Sequence, residues 1–210
     1  MVIPIRFPCT YKPGGGKYNM GQVLNSPIGD ADITLYFGAV DENHHQENGG
    51  HAGLDIIRAN NAVTLDTPVV LKLAGDISVI NNDSIRGNYI DVAHGGGFYS
   101  TYLHLRELPN FTVGQHLTAE TILGFIGMTG LTTGPHEHWG IYRIDPVTGA
   151  LQYWNPLACM TLPTVNLPAE IVSYIAGGGM YIEEPTEIEG ARVIKILLPE
   201  PSFPGPRHLP

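Results

Sequence analysis

Short runs in which apolar and polar residues alternate recur along most of this chain. Alternation places every second side chain on the same face of an extended strand, so each run predicts a half-buried β-strand. None of these runs shows a clear helical period, and they follow one another at roughly ten-residue spacing, which is typical of antiparallel β folds. The predicted strands are residues 31–40, 67–71, 75–80, 88–94, 98–105, 121–127 and 137–144.

Glycine and proline punctuate these runs. The chain of 210 residues contains 26 Gly and 17 Pro, which favours many turns and short strands over long helices. Three consecutive glycines, residues 95–97, separate two of the predicted strands and indicate a hairpin turn. We therefore predict a mainly β protein whose core is a compact antiparallel sheet, curved into a barrel or sandwich.

The pattern divides the chain into three regions. Residues 1–30 are rich in Gly and Pro and predict an irregular N-terminal arm with one short strand at most. Residues 31–158 carry the predicted strands and form the core domain. Residues 159–210 are acidic and rich in proline, so we expect a C-terminal extension that ends as an extended tail.

Charge and hydropathy exclude some partners. The formal net charge of −9 and the lack of a basic stripe disfavour nucleic-acid binding. No run approaches the ~20 apolar residues of a membrane span. Residues 1–8 are too short and too interrupted by proline for a signal peptide, so the sequence as given is expected to carry no export signal of its own. We expect a monomer.

The two cysteines do not form a recognisable metal motif. Cys9 and Cys159 are far apart in sequence and match no zinc-ligand spacing. Two separate thiols are the simpler interpretation, and a disulfide that ties the arm to the end of the core is the alternative.

Histidines and one aspartate carry the candidate chemistry. In a strand, His136 and His138 share a face because they are two residues apart. His51 and Asp55 lie upstream in a glycine-rich stretch, and His104 ends a predicted strand. A catalytic zinc site takes three protein ligands from His, Asp or Glu and leaves a position for water.

These residues predict such a site. His51 and Asp55 offer a nitrogen and an oxygen, and either His138 or His136 supplies the third ligand. The remaining histidine of the pair, together with His104, is left for proton transfer or oxyanion stabilisation. The chain lacks the helical His-Glu-x-x-His motif.

The order of these motifs resembles the LytM/lysostaphin-type zinc metallopeptidases, which cleave peptide cross-links in bacterial peptidoglycan. That family has a His-x-x-x-Asp motif, here His51 to Asp55, and a His-Leu segment after an aromatic strand, here residues 102–105. It also has a Gly-x-(Ser/Thr)-Thr-Gly-Pro-His-x-His segment, here residues 130–138. Weaker similarities lie at residues 66–69, 87–90, 113–115, 124–127 and 155–157.

The resemblance implies specific roles. The zinc ligands are His51, Asp55 and His138, with one Zn²⁺ per chain. His104 and His136 flank the attacking water as base and oxyanion-stabilising groups. The family fold is a β-sheet with a groove whose floor holds the zinc, and residues 41–50, 81–87, 106–112 and 128–135 become its walls.

The resemblance also implies a substrate and a location. The substrate is the peptide cross-link of peptidoglycan, so the protein acts outside the cytoplasm, in the periplasm, after secretion or delivered by a phage. Asn88 and Tyr89 are candidate substrate contacts. An upstream Asn blocks the zinc in latent members of the family, and the candidate here is Asn43 or a neighbouring residue of the same loop.

One residue departs from the family pattern. Glu137, between the two histidines, replaces an apolar residue and would point away from the metal into the interior. A buried carboxylate needs a partner, and Arg143 is the candidate.

An alternative function stays open. A non-enzymatic module of the same fold, acting as an activator or as a structural component of a phage particle, is possible in this family. No ligand of the motif is missing from this sequence, so the enzyme is the stronger hypothesis.

Overall fold

The computed structural model describes residues 5–12, 14, 21–40, 50–60, 62–161, 181–188 and 191–197, and for the last two ranges it describes the backbone alone. By their contacts these residues form two compact units, one within residues 5–161 and one made by the two strands after residue 180. Asn43 and its loop lie outside the described residues, as does most of the predicted C-terminal extension.

The larger unit is built from short β-strands joined by turns. The described residues contain one short 3₁₀ helix, Pro156–Cys159, capped by the side chain of Asn155. The strands are β1 (Thr10–Lys12), β2 (Gln22–Ser26), β3 (Gly29–Leu35), β4 (Gly53–Arg58), β5 (Pro68–Val70), β6 (Gly75–Asp83), β7 (Gly87–Ala93), β8 (Phe98–Leu105), β9 (His116–Leu117), β10 (Ile122–Phe125), β11 (Glu137–Ile144) and β12 (Leu151–Trp154).

Ten of these strands form one antiparallel sheet. Its order is β1-β2-β3-β4-β11-β8-β7-β6-β9, with β12 paired to β11 off this path. The prediction of a mainly β, antiparallel fold is therefore confirmed. The strand order does not close on itself, so the sheet is open and does not form a barrel. Strands β5 and β10 form a separate two-stranded sheet.

Strand β11 organises the centre of the sheet. Strand β8 pairs along one of its edges, while β4 pairs with the first half of the other edge and β12 with the second half. Residues paired across an antiparallel ladder share a face, so the register of β11 decides which side chains meet. Trp139 is paired with both Leu54 and Tyr102, and all three are fully buried. This face of the sheet is therefore the core face.

The hairpin at the three glycines is confirmed. Strands β7 and β8 pair antiparallel, with Ala93 opposite Tyr99. Gly95, Gly96 and Gly97 all have positive φ, at 84°, 60° and 80°, which residues with a Cβ rarely adopt. The turn therefore depends on the glycines that predicted it.

The N-terminal arm is more regular than its composition predicted. Strands β1 and β2 pair with each other, and β2 pairs with β3, so all three extend the main sheet. Glycine and proline in this segment lie at the connections between strands. The strands themselves are held by backbone hydrogen bonds between β1, β2 and β3, which the local sequence does not predict. The proposed domain boundaries stay a prediction.

The two cysteines are separate buried thiols in the structure. Cys9 donates a hydrogen bond from Sγ to the carbonyl of Asn25 at 3.0 Å. Burial raises the pKa of both thiols to about 12, so neither is a reactive thiolate near neutral pH.

The smaller unit is a hairpin of β13 (Tyr181–Ile188) and β14 (Ala191–Leu197), paired antiparallel. Within the part of the chain that the structure describes, no helix is long and apolar enough to cross a membrane.

Candidate metal centre

Two neighbouring strands bring the aspartate and a histidine of the predicted site together. Asp55 in β4 and His138 in β11 are direct partners in the antiparallel ladder, so their side chains project from the same face. His51 precedes β4, and its backbone N–H donates to the carbonyl of Ala39 while its carbonyl accepts from Gly38. All three side chains are buried.

The donor atoms of these residues form a small triangle. His51 Nε2 lies 2.9 Å from His138 Nδ1 and 2.9 Å from Asp55 Oδ1. His138 Nδ1 lies 3.0 Å from Asp55 Oδ1. This is the one group of three metal-ligating side chains found within the described residues, and it could hold a metal ion.

The tautomer of His51 is set by its second nitrogen. Nδ1 lies 3.1 Å from the carbonyl oxygen of Tyr36, and because a carbonyl only accepts, Nδ1 carries the proton. In neutral His51 the Nε2 lone pair then points toward the carboxylate of Asp55. Two acceptors 2.9 Å apart repel each other unless a cation or a proton lies between them.

The arrangement fits a metal with tetrahedral ligands. Zinc bound at 2.0–2.1 Å separates its tetrahedral ligands by about 3.3 Å, close to the spacing observed here. Nitrogen and carboxylate oxygen donors are ligands that zinc accepts. The hydrogen bond from His51 Nδ1 to a backbone carbonyl is the kind of outer contact that orients a metal-binding histidine.

Gly53 is a requirement of this site that the sequence analysis did not identify. A Cβ at this position would lie 2.7 Å from His138 Nε2 and 2.7 Å from the carbonyl oxygen of Trp139. Only glycine lets β4 approach β11 closely enough while the His138 ring occupies this space. Its place two residues before Asp55 is the signal that sequence alone offered.

His136 stands beside the triangle. Its Nδ1 donates to the carbonyl of Gly134 at 2.9 Å and lies 3.2 Å from Thr132 Oγ1. Its Nε2 lies 3.6 Å from Asp55 Oδ1. The proton on Nδ1 therefore leaves Nε2 as an acceptor on the side of the cluster.

His104 faces His136. Their ring centroids are 4.9 Å apart, and the His104 ring lies 6.3 Å from that of His138. His104 Nδ1 donates to the carbonyl of Thr129 at 2.9 Å, so Nε2 is again the acceptor. The structure thus brings all five predicted chemical residues into one cluster.

The backbone of His104 is strained. Its φ is 59°, a left-handed conformation that costs a non-glycine residue about 1–3 kcal/mol. Two backbone hydrogen bonds hold it, from His104 N–H to the Arg86 carbonyl and from Gly127 N–H to the His104 carbonyl, both 3.0 Å. Strain of this kind concentrates at functional sites.

Burial and hydrogen bonds set the charges in the cluster. Burial lowers the pKa of His104 to about 4 and lowers the pKa of His138, so both are neutral imidazoles at neutral pH. Burial acts to raise the pKa of Asp55, but its interactions with the His138 and His51 rings outweigh burial and hold that pKa well below its usual range. His104 and His138 are therefore neutral imidazoles close to an ionised carboxylate.

Glu137 points to the core face, as predicted, and is 0% exposed. Neither carboxyl oxygen has a hydrogen-bond partner among the described residues. Arg143 is not its partner, because its guanidinium donates to Asp145 at 3.1 Å and to the Gly96 carbonyl at 3.3 Å. Burial, and secondly the charge of Asp55, raise the pKa of Glu137 well above its usual value.

The two candidate substrate contacts have other contacts in the structure. Tyr89 is 2% exposed and lies under the guanidinium of Arg86, 3.7 Å from the ring centroid. This fits a tyrosine in the core of the hairpin, and a contact between its ring and a substrate stays a prediction. Asn88 uses its side chain to bond backbone carbonyls of Leu105 and Arg106, and its contact with a substrate stays a prediction.

An open antiparallel sheet that carries a His–Asp–His cluster on one face, with two further histidines beside it, agrees with the resemblance to the LytM/lysostaphin type. Residues 49–151, which contain this cluster, match the model of Peptidase family M23.

Individual relatives each match about half of the chain. Peptidoglycan DD-endopeptidase ShyA of Vibrio cholerae is 33% identical over 108 residues, which cover 51% of this chain and 24% of that protein. DD-carboxypeptidase/endopeptidase Mpg of Neisseria meningitidis is 31% identical over 106 residues, covering 48% and 23%. The chain thus spans about a quarter of the length of these curated relatives.

A solved structure shares the fold. The catalytic domain of the antimicrobial peptidase lysostaphin from Staphylococcus simulans superposes with a TM-score of 0.50 and 24% identity, over 60% of this chain and 90% of that domain.

Proposed function

We propose that this chain is a zinc-dependent endopeptidase that hydrolyses peptide bonds of bacterial peptidoglycan. The observation that carries the proposal is the triangle of donor atoms from His51, Asp55 and His138, with sides of 2.9, 2.9 and 3.0 Å. The match of residues 49–151 to a peptidase family supports a hydrolytic role for these three side chains over a purely structural one.

The three residues would hold one zinc ion through His51 Nε2, His138 Nδ1 and Asp55 Oδ1. Two neutral imidazoles and one carboxylate leave the bound site with a net charge near +1. When bound, zinc acts as a Lewis acid that polarises the substrate carbonyl and lowers the pKa of water toward ~7.

The remaining two histidines would move protons and stabilise charge. His104 and His136 each donate Nδ1–H to a backbone carbonyl, so each turns Nε2 toward the cluster. A neutral imidazole can accept a proton at Nε2 from the attacking water, and the resulting imidazolium can donate a hydrogen bond to a developing oxyanion. The close approach of the two rings makes it unfavourable for both to be charged together, which favours one acceptor and one donor.

The substrate class comes from the relatives. Two matched proteins bear the names peptidoglycan DD-endopeptidase and DD-carboxypeptidase/endopeptidase. We infer that the substrate of this chain is likewise a peptide cross-link of peptidoglycan, and that the protein acts outside the cytoplasm, where that polymer lies.

Two measurements test the proposal. Metal content of the purified protein is determined by plasma mass spectrometry, and turbidity loss is followed on purified sacculi, both directly cross-linked and glycine-bridged. We expect one zinc per chain and loss of turbidity on at least one wall type. His136→Ala should keep the zinc and lose hydrolysis, because His136 is not one of the three ligands.

Each negative result has a defined meaning. Stoichiometric zinc without hydrolysis of any wall would reject the enzyme and favour a non-enzymatic module of this fold. Absence of zinc from the wild-type protein after incubation with the metal would reject the site itself.

A further inference from the structure

Thr129 contacts the segment that carries His104 through both its main chain and its side chain. Its carbonyl accepts the Nδ1–H of His104 at 2.9 Å. Its Oγ1 donates to the carbonyl of Leu105 at 2.8 Å and accepts from the backbone N–H of Asn88 at 2.9 Å. One residue therefore connects the imidazole, the end of β8 and the start of β7.

Asn88 completes the same connection from the other side. Its Nδ2 donates to the carbonyls of Leu105 and Arg106, at 3.1 and 3.2 Å. Its Oδ1 accepts from Asn82 Nδ2 at 2.8 Å. Both amide protons of Asn88 are thus bound to the backbone that follows His104.

Two glycines let the loops approach this closely. A Cβ on Gly87 would lie 2.3 Å from the carbonyl carbon and oxygen of Thr129, and a Cβ on Gly130 would lie 2.3 Å from the backbone nitrogen of Gly87. The loop before β7 and the loop after β10 are therefore in backbone contact. The position of the Thr129 carbonyl is fixed by this contact, and the carbonyl in turn determines which nitrogen of His104 carries the proton.

We propose that Thr129 and Asn88 are positioning residues for His104: they hold its strained backbone and its Nδ1–H tautomer, so that Nε2 faces the metal-binding cluster. The inference rests on the proposed function, because it assigns the pair a role in the proton transfer of that reaction. It replaces substrate contact as the function of Asn88, since the Asn88 amide is bound to the protein's own backbone.

Thr129→Val is the sharpest test, because valine keeps the shape of threonine and removes both Oγ1 hydrogen bonds. The first readout is the imidazole ¹H–¹⁵N correlation spectrum of the zinc-loaded full chain, which reports the tautomer of His104 directly. We expect a single Nδ1–H tautomer in the wild type and a mixture in the variant. Thr129→Ser should restore the wild-type spectrum. Thr121→Val is the matched control, since it removes a Thr hydroxyl bond to Thr118 away from the site.

The second readout is kinetic, with dye-labelled sacculi as the substrate. Loss of an outer orienting contact typically lowers activity about 10- to 100-fold, and we expect Thr129→Val and Asn88→Ala to lower the apparent kcat by this amount with KM nearly unchanged. A raised KM at unchanged kcat in Asn88→Ala would overturn the proposal in favour of substrate contact. An unaltered His104 spectrum in Thr129→Val would also overturn it.

The two proposals fail separately. If wild-type protein cleaves no wall, the proposed function is lost, but the His104 spectrum still decides whether Thr129 fixes the tautomer.

Discussion

His51 Nε2 and Asp55 Oδ1 lie 2.9 Å apart, and when the His51 ring is neutral with its proton on Nδ1, both of these atoms are hydrogen-bond acceptors. The proton of His51 is on Nδ1, where it is bonded to the carbonyl of Tyr36. Buried acceptors at this distance repel one another, and the repulsion is strongest where solvent is excluded. A divalent cation at this point would relieve it, which gives the first two predictions.

Removing the metal should destabilise the protein. A ligand that binds only the folded state at 100 times its Kd adds about 2.7 kcal/mol, and for a chain of this size each kcal/mol corresponds to about 2–4 °C in Tm. We expect the Tm measured by calorimetry to fall by several degrees after dialysis against a chelator and to recover on addition of zinc. An unchanged Tm would contradict a bound metal in the folded protein.

Asp55→Asn should lose the metal while leaving the fold intact. Asparagine keeps the shape of the side chain but removes the negative charge that faces the two imidazoles. We expect zinc to be lost to a chelator at concentrations that leave the wild type loaded, in a competition titration. Asp76→Asn is the matched control, because Asp76 also pairs with a histidine, His116 at 2.7 Å, but on the surface. Equal zinc retention by the two variants would argue against Asp55 as a ligand.

Gly53→Ala should damage the site through packing. The added methyl would meet His138 Nε2 and the Trp139 carbonyl at 2.7 Å, and overpacking of this kind costs about 1–3 kcal/mol. We expect lower stability in urea unfolding together with weaker zinc binding. Gly124→Ala is the control, since its Cβ would make an ordinary contact with Leu105 at 3.4 Å. If both alanine variants behave alike, the close approach of Gly53 to His138 is not a constraint.

Glu137→Gln should change how stability depends on pH. Burial raises the pKa of Glu137 above its unfolded value, so the folded state binds the proton more tightly than the unfolded chain. The contribution of Glu137 to the free energy of unfolding is complete below its unfolded pKa of about 4.3. This contribution is lost as the pH rises toward the folded pKa, at no more than about 1.4 kcal/mol per pH unit.

The comparison of wild type with Glu137→Gln isolates this group. We expect the free energy of unfolding of the wild type to fall with rising pH relative to that of the variant, and the variant to be the more stable protein at pH 8. Parallel pH curves for the two proteins would show that Glu137 titrates in the folded state as it does in the unfolded chain.

The sequence by itself determined most strands of the core and the identity of the clustered residues, although it did not predict β4 (Gly53–Arg58), the strand that carries Asp55. Alternation of apolar and polar residues is a local property, because it follows from the two-residue period of a strand. The three glycines at 95–97 specified their turn because glycine readily adopts the positive φ that all three show. The motifs around His51, His104 and His138 were readable because each keeps its chemical residues within a few positions of one another.

Only the tertiary structure decided how those motifs meet. The register of β4 against β11 places Asp55 opposite His138, and no local pattern encodes which residue of one strand faces which residue of another. The same is true of strands β1 and β2, whose regularity comes from hydrogen bonds across the sheet, and of Glu137, whose expected partner Arg143 bonds elsewhere. The tautomers of His51 and His104 are fixed by the backbone carbonyls of Tyr36 and Thr129, which are distant in sequence. These two proton positions therefore exist only once the chain has folded.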